Sequence, residues 1–437
     1  MDIDFRKAAE AEYNKVLKQW KIKQAMVPVE SRTMPDRSIS LPTQTNDERV
    51  FEYPTLNNLE HFAREASAQL AKHDFLSCSG VNVYVMLGNT YFWNSEKTTY
   101  SRPVSVIGVQ MYGAMEFQKG KEYVDAKTVF FSCTDSLFSS QRIQDETDAF
   151  VKHLQSVKNK RDYFYYYYNG PVLIEGEAVG QILGSDLLEG NPNLLADREP
   201  LLAQQTYKQS FENQLDKVII SKKTSVTANK SNDKFDHSIF VRHEKTDAEG
   251  VDRIETEIIR NGELVALMGN RTVTESTPFS NGFQQLAIHN EGCFATRGAN
   301  RLDFEYKSTT SHKKLKQMLI QEAKKQGCPY AYIIRQVYDA NMQNIMDKES
   351  AHYVQLLQCY RVDVRTGEEV PMVGAKMLNP NFHLLKNILY VSDKQSAFPI
   401  MMKVPGASGS RDFPFAGVPT CIVAPDGILL KRVYIED

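Results

Sequence analysis

Histidine and acidic residues come closest together between residues 237 and 249, where a metal centre would first be sought. His243 and Glu244 are adjacent, Asp247 follows three residues later, and His237 lies upstream. A zinc protease needs two histidines four residues apart on one helix, so that both imidazoles face the same ion. Here the spacing is six, and HSIFVRHE alternates like a strand, which separates the two side chains by about 20 Å. The two histidines cannot share one zinc ion, and we interpret them as exposed or hydrogen-bonded strand residues.

Other possible catalytic groups are equally incomplete. Ser408 and Ser410 lie in PGASGSRD, which superficially resembles the Gly-Ser-Gly elbow of a serine hydrolase. An elbow requires a turn from strand to helix, whereas the following residues, FPFAGVPTCIV, are predicted to form another strand. We interpret this segment as a flexible glycine loop. Asp247, Glu249 and Gly250 could place two carboxylates at a site or form a surface turn, and position alone does not choose between them.

Composition excludes several classes of protein. Lys and Arg number 52 against 54 for Asp and Glu, a formal charge of -2, so the chain lacks the basic footprint of a dedicated nucleic-acid binder. No apolar run approaches the roughly 18 residues of a membrane span. Six dispersed cysteines without a CxxC pair argue against a disulfide framework or a structural zinc knuckle.

Cysteine usage and the N-terminal sequence bear on localisation. Free thiols favour a reducing compartment, and the first twenty residues are charged and helical in pattern, without the apolar core of a signal peptide. We expect a cytoplasmic protein, or an exported one if an upstream signal is missing from this chain.

The first part of the chain is predicted to combine helices with antiparallel strands. Apolar residues recur every three or four positions over residues 5–24, which predicts an amphipathic helix. A proline-containing linker is predicted over 25–54, and a second helix over about 56–73. From 81 to 131 the apolar pattern has period two, with β-branched and aromatic runs that predict antiparallel strands. A helix at about 140–159 completes this unit.

The rest of the chain is predicted to be rich in strands. A buried run after Tyr165 leads through Gly and Glu into a helix, and 200–232 is polar and loop-like. One clear helix is predicted at 310–326, and the turn signals at 261–262 and 366–369 indicate hairpins. The segments predicted as strands are HSIFVRHE, IETEIIRNGELVALM, YAYIIRQVY, YVQLLQCYRVDV and TCIVAPDGILLKRVYI. The fold class is therefore α+β with long antiparallel sheets and flanking helices.

Several short motifs, in order, resemble the C-terminal domain of the TldD/PmbA family. They are Tyr168–Leu173 with Glu175–Val179, Asp247–Gly250, Asn261–Leu264, Tyr353–Leu356, Thr366–Glu369 with Val373–Ala375, Leu384–Ile388 with Val391–Asp393, and Gly417–Pro419. The family was first labelled as modulators of DNA gyrase, and its members are now regarded as metallopeptidases. The resemblance covers about residues 75–437.

The resemblance implies a domain organisation. We expect an N-terminal helix and linker over 1–54, an N-terminal α+β domain over 55–165 that is partial relative to the family, and a C-terminal β-rich domain over 166–437. The first seventy-odd residues resemble the helical insertion of a larger, often exported branch. By that resemblance, the chain starts part-way through the family architecture.

The resemblance also identifies the positions at which active members hold zinc. They carry a His-Glu pair, a second His five residues after the first, and a Cys in a glycine-rich segment near the C-terminus. Here Gly176 replaces the first His, Glu177 keeps the general-base position, Gln181 replaces the second His, and Gly406 falls where the Cys is expected. Cys421 comes about fifteen residues too late. Since glycine offers no ligand and glutamine only a poor one, no cofactor is predicted, and in particular not the zinc of active members.

The leading hypothesis is a subunit with a degenerate zinc site, resembling the ligand-poor paralogue that pairs with an active subunit in this family. It would bind a peptide or unfolded protein at a sheet edge, and form a homodimer or a heterodimer with a TldD/PmbA paralogue. Asp247, Glu249 and Gly250 are candidate substrate-binding residues, and Glu177 is the candidate catalytic residue.

Two alternatives stay open. The first is an active hydrolase in which Glu177, Asp247 and Glu249 converge with one of four histidines, which are His237, His243, His289 and His383. The second is a regulator associated with DNA gyrase, which only the family name suggests.

Overall fold

The structure is a computed structural model. It describes residues 2–26, 35, 37–46, 56–118, 120–131, 140–158, 167–186, 214–230, 245–273, 277–289, 292–337, 353–378, 382–402 and 416–436. Backbone contacts divide the chain into two compact units, residues 1–37 and 38–437. Among its described residues the first unit has the helix α1 (Asp2–Met26), which confirms the helix predicted over 5–24.

The second unit is mixed α+β, with strands predominating. Its α-helices are α2 (Leu56–Leu70), α3 (Ser140–Lys158), α4 (Glu177–Gln181), α5 (His312–Lys325) and α6 (Phe382–Lys386), and a short π-helix, Ile182–Asp186, directly follows α4. Its strands are β1 (Gln44–Asn46), β2 (Cys78–Trp93), β3 (Thr99–Gln118), β4 (Lys121–Phe131), β5 (Tyr167–Glu175), β6 (Thr224–Ala228), β7 (Thr256–Arg260), β8 (Glu263–Leu264), β9 (Gln284–His289), β10 (Gly292–Arg297), β11 (Arg301–Tyr306), β12 (Tyr330–Val337), β13 (Tyr353–Asp363), β14 (Glu369–Met372), β15 (Lys376–Leu378), β16 (Ile388–Val391), β17 (Gln395–Met402), β18 (Val418–Pro425) and β19 (Gly427–Glu436). The predicted α+β class is confirmed.

The first sheet is built on a long β-meander. β2 pairs with β3 along its whole length, β4 pairs with the other side of β3, and β1 adds a short parallel contact. The helices α2 and α3 cover one face of this sheet, where Phe62, Leu70, Phe150 and Leu154 pack against residues of β2 and β3. The period-two apolar pattern over 81–131 therefore belongs to a sheet that packs one of its faces against two helices.

Five strands close into a small barrel. β5 pairs with β12 and β19, β19 with β15, β15 with β13, and β13 returns to β12. The run Pro171–Ile174 in β5 is buried on both faces because it lies between the barrel interior and the helix α5. Residues of one central strand thus form a continuous apolar run rather than an alternating one.

A third sheet packs beside the barrel in the order β17–β18–β11–β6–β7–β8. Its edge strand β17 pairs with β18 in an unbroken antiparallel register, from Gln395 opposite Pro425 to Met402 opposite Val418. The turn between β7 and β8 is the predicted Asn261-Gly262 turn. Both residues have positive φ, 52° and 83°, as a two-residue type I′ hairpin requires.

Two predictions of irregular structure are corrected. The segment 200–232 contains β6 among its described residues, because Thr224–Ala228 alternates between buried and half-buried positions and completes the third sheet. The predicted linker 25–54 contains β1, whose three residues pair with Thr99–Ser101. The hairpin of β9 and β10 and the strand β11 were not predicted.

Candidate functional site

A cleft of about 530 Å³ lies where the first sheet, the barrel and the third sheet meet. Its lining is formed by residues 127–130 of β4, 396–400 of β17, 175–177 and 181 at the junction of β5 and α4, and by Arg142, Glu146, His312, Arg335, Gln358, Lys394 and Asp426. Four lining residues are lysine or arginine and four are glutamate or aspartate. The cleft therefore carries almost no excess charge.

Two strand edges face this cleft. In the described part of the chain, β4 pairs only with β3 and β17 only with β18, so each strand has one side without a partner strand. Consecutive residues of both strands line the cleft, as expected when an edge rather than one face is turned towards it. Near one end the strands share a small apolar cluster that contains Phe130 and Met401. An unpaired strand edge offers backbone N–H and C=O groups to an added strand.

The floor of the cleft is the junction between β5 and α4. Gly176 has φ 63° and ψ -141°, a conformation open to glycine and strained for any other residue. Its N–H donates to the carbonyl of Asp426 at 3.0 Å. This turn directs Glu175 and Glu177, on either side of it, into the same cleft.

Lys127 joins two carboxylates of the cleft. Its Nζ lies 2.7 Å from Glu146 Oε2 on α3 and 2.9 Å from Glu177 Oε1 on α4. The lysine side chain is only 11% exposed. Burial alone would lower the pKa of Lys127, but the charges of Glu177 and Glu146 outweigh burial and raise this pKa above its ordinary value. An ammonium that stays charged at neutral pH thus occupies the position beside the candidate general base.

A second group of charged residues lines the opposite part of the cleft floor. Arg335 contacts Glu175 at 2.7 Å, and its pKa is raised because the attraction of Glu175 and Glu369 outweighs burial. His312 Nδ1 lies 2.9 Å from Asp426 Oδ1, and its Nε2 lies 3.9 Å from Glu175 Oε2. Lys394 reaches Asp426 from the solvent side at 2.9 Å.

The residues at the expected zinc positions do not fit zinc where the structure describes them. Gly176 has no side chain to offer, and its backbone conformation opposes any replacement. Gln181 already uses its Oε1 to accept the N–H of Val337 at 2.9 Å. Glu177 faces an ammonium rather than a free position. Across the described residues, no group of three or more His, Cys, Asp or Glu side chains is arranged to hold a metal ion.

Asp247 lies in a buried turn and is not among the residues that line the cleft. Its Oδ1 accepts the N–H groups of Glu249 and Val251 at 2.8 and 3.0 Å, and its Oδ2 accepts that of Gln284 at 3.1 Å. Burial raises the pKa of Asp247 to about 6, against the lowering effect of these hydrogen bonds and of two arginines. Gly250 adopts the left-handed conformation that closes the turn.

The same turn joins the third sheet to the first. Tyr100 Oη donates to the carbonyl of Ala248, and Arg102 donates to the carbonyl of Thr246. Glu249 Oε2 accepts the N–H of Arg271 at 3.2 Å. The structure therefore does not bring Asp247, Glu249 and Gly250 together with Glu177, and a substrate-binding role for this turn stays a prediction.

Several other predicted residues lie outside the described part of the chain. These are His237, His243, Gly406, Ser408 and Ser410. His289 ends β9 and His383 lies in α6, but their side chains are not described. Cys421 is fully buried in β18, and burial raises the pKa of its thiol to about 12.

Sequence reasoning missed most residues of the cleft, among them Lys127, His312 and Arg335. The sequence analysis places Lys127 only in the alternating pattern over 81–131, and Arg335 only in the predicted strand YAYIIRQVY. His312 offered a usable signal, because it directly follows the Ser/Thr cluster 309–311 at the start of the predicted helix 310–326. Its proximity to Asp426 follows from closure of the barrel, which local patterns do not reveal.

The described helices include none that is long and apolar enough to cross a membrane. No family model and no curated protein matches the chain.

Solved structures do resemble it. TldE from Thermococcus kodakarensis superposes with a TM-score of 0.59 at 14% identity, covering 95% of this chain and 82% of that one. A "putative modulator of a DNA gyrase" from Thermotoga maritima gives 0.57 at 13% identity, covering 93% and 80%. A protein of like description from Bacteroides thetaiotaomicron gives 0.55 at 10% identity, covering 98% and 83%. The chain has the fold of these proteins, which confirms at the level of the fold the resemblance drawn from its sequence.

Proposed function

We propose that this chain is a TldD/PmbA-like subunit that binds an extended peptide in the cleft and does not hydrolyse it. The observation that carries the proposal is the pair of strand edges, β4 and β17, that line one cleft. A peptide added to such an edge is held through its backbone, so affinity depends little on its sequence. The near balance of charge in the cleft suits an uncharged backbone better than an acidic or basic ligand.

The absence of hydrolysis follows from the surroundings of Glu177. A general base must accept a proton from water, and in metallopeptidases a metal ion first makes that water acidic. Here the carboxylate is paired with Lys127 at 2.9 Å, and the neighbouring positions 176 and 181 supply no metal ligand. The carboxylate of Glu177 is thus held by an ammonium group, and the positions beside it offer no ligand for the metal ion that would acidify a water.

We further propose that the chain acts as a dimer, either with itself or with a paralogue that carries the zinc ligands. The likeness to TldE and the resemblance to the ligand-poor member of such pairs support this. Sedimentation velocity of the purified chain, alone and mixed with a paralogue from the same genome, measures the association. A chain that stays monomeric in both samples would contradict this part of the proposal.

The binding proposal is tested with a probe peptide of twelve Ser, Thr, Val and Gln residues, acetylated, amidated and labelled with fluorescein. We expect saturable binding by fluorescence anisotropy, intact peptide by mass spectrometry, and far less than one zinc per chain after expression in zinc-supplemented medium. Chelator-sensitive cleavage together with stoichiometric zinc would overturn the proposal.

One observation favours a second candidate, a hydrolase that uses groups other than the family's zinc ligands. His312 lies in the cleft with Asp426 Oδ1 2.9 Å from its Nδ1, although the two atoms do not have hydrogen-bond geometry. In this candidate the ring turns so that the carboxylate accepts its N–H and orients the imidazole as a general base. This candidate predicts cleavage of the probe peptide that resists chelators and is lost in His312→Asn. Intact peptide with the native chain excludes it.

A further inference from the structure

In the described part of the chain, one edge of β17 has no partner strand, and this free edge has an irregular supply of hydrogen-bonding groups. Pro399 pairs with Cys421 of β18, and the N–H of Cys421 donates to Asn300 on the other side, at 2.8 Å. The backbone N–H and C=O of Cys421 therefore point away from β17, so Pro399 and Cys421 form a pair without ladder hydrogen bonds. The carbonyls of Pro399 and, by the period of two, of Ala397 point towards the free edge. Ala397 also directs an N–H there, whereas Pro399 has none to direct.

A peptide that pairs with this edge meets both residues. Opposite Ala397 a peptide residue can exchange two hydrogen bonds, donating its N–H and accepting with its carbonyl. Opposite Pro399 it can donate its N–H to the proline carbonyl, but its own carbonyl finds no donor on β17. A carbonyl left unpaired in a buried site costs about tenfold in affinity. The bound peptide thus needs one donor from elsewhere in the cleft.

Lys127 has such a donor. An ammonium group carries three N–H bonds, and in the described part of the chain Glu146 and Glu177 use two of them. The two carboxylates hold this buried side chain in place, on the strand edge that shares the cleft with β17. A fixed, charged donor is also the stronger kind of partner for a carbonyl.

We propose that Lys127 donates its third N–H to the peptide carbonyl that lies opposite Pro399, a role that rests on the proposed peptide binding. Pro399 thereby sets the register of the peptide, and Lys127 and Pro399 act as a pair. No bond is broken in this step, because the ammonium holds the carbonyl without activating a water.

A double-mutant cycle on the probe peptide tests the pairing. We expect Lys127→Met to weaken binding about tenfold and Pro399→Ala, which restores an N–H to β17, to strengthen it about threefold. In the Pro399→Ala background, Lys127→Met should cost only about twofold, since the carbonyl then has a donor on β17. Lys230→Met is the control, because this lysine pairs with Glu305 outside the cleft; its binding should equal that of the native chain.

The outcomes separate the two proposals. Absence of binding by the native chain overturns the proposed function. Binding with equal losses from Lys127→Met in both backgrounds leaves peptide binding in place and overturns the role of Lys127. If Lys127→Met fails to fold, thioamides placed one at a time in the peptide weaken single carbonyls without changing Lys127. With the native chain, a thioamide at one peptide position should weaken binding more than at any other position. With Pro399→Ala, the same position should be no more sensitive than the others. Uniform sensitivity with the native chain overturns the inference.

Discussion

Asp247 and Glu177 are both carboxylates that the sequence marks as candidate site residues, yet their surroundings differ. Asp247 is wholly buried, and three backbone N–H groups donate to its oxygens. Glu177 lines an open cleft, and its recorded ion pair is with a side chain, that of Lys127. The first carboxylate holds its own turn together, whereas the second holds a cation beside two strand edges.

The difference shows how to separate a structural carboxylate from a functional one. An acceptor that is filled by backbone N–H groups of its own loop has little capacity left for a ligand, and its removal leaves those groups unpaired. An acceptor that positions a long cationic side chain leaves further donors of that side chain for a ligand. Both carboxylates lie in short motifs that carry the resemblance in the sequence, so only their partners in the structure distinguish them.

The largest expected loss of stability follows from replacing Asp247. Asp247→Ala leaves three buried or partly buried N–H groups without an acceptor, and we expect the free energy of unfolding to fall by about 3–5 kcal/mol. Urea unfolding followed by circular dichroism measures it. Asp363→Ala is the matched control, because Asp363 also accepts two turn N–H groups but in an exposed turn, where water replaces it. Equal losses in both variants would show that burial of the acceptor is not the cause.

A smaller loss of stability is expected when Lys127 is replaced. Lys127→Ala leaves Glu146 and Glu177 together without their cation, and the free energy of unfolding should fall by about 2–4 kcal/mol. Adding Glu146→Gln and Glu177→Gln to this variant should recover most of the loss, because the two neighbouring carboxylates no longer repel each other without their cation. Failure of the triple variant to recover would show that packing of the lysine stem, rather than charge, holds this part of the cleft.

Much of the fold could be predicted because its signals are local. The helices α1, α2, α3 and α5, the β2–β4 meander and the Asn261-Gly262 turn each follow from periodicity or turn chemistry within one segment. β6 was missed because Thr224–Ala228 has a polar sequence, and it forms a strand only between β11 and β7. β7 lies about 30 residues, and β11 about 80 residues, further along the chain than β6.

The site could be predicted only where residues adjoin in sequence. Gly176, Glu177 and Gln181 were identified as a unit by resemblance and lie together in the cleft. Lys127, His312 and Arg335 come from β4, α5 and β12, and they meet because three separately built parts pack at one point. Nothing in the composition of those strands marks Lys127 as buried; its burial depends on two carboxylates contributed by α3 and α4.

The pH dependence of stability sharpens the comparison further. The pKa of Asp247 is raised to about 6 in the folded chain, against about 3.9 for an unfolded aspartate. The folded chain therefore binds this proton more tightly, so the contribution of Asp247 to stability is full below about pH 4 and is lost as the pH rises through 6. Relative to Asp247→Asn, the native chain should lose about 2–3 kcal/mol between pH 4 and pH 7, at about 1.4 kcal/mol per pKa unit. A difference that stays constant over this range would show that the hydrogen bonds from Glu249, Val251 and Gln284 offset burial completely.

The smallest effect concerns the backbone that positions Glu177. Gly176→Ala places a side chain at φ 63° and ψ -141°, and the strain should lower the free energy of unfolding by about 1–2 kcal/mol. The nearest atom to the added Cβ is the carbonyl oxygen of Arg335 at 3.8 Å, so steric contact contributes nothing and the loss reports backbone strain alone. Gly88→Ala in β2 is the matched control, since its Cβ enters open space without positive φ, and its stability should not fall. If Gly176→Ala is as stable as the native chain, glycine is not required by the backbone here. The backbone would then tolerate a histidine at position 176. The surroundings of Glu177 and of Asp247 would in that case differ less than their contacts indicate.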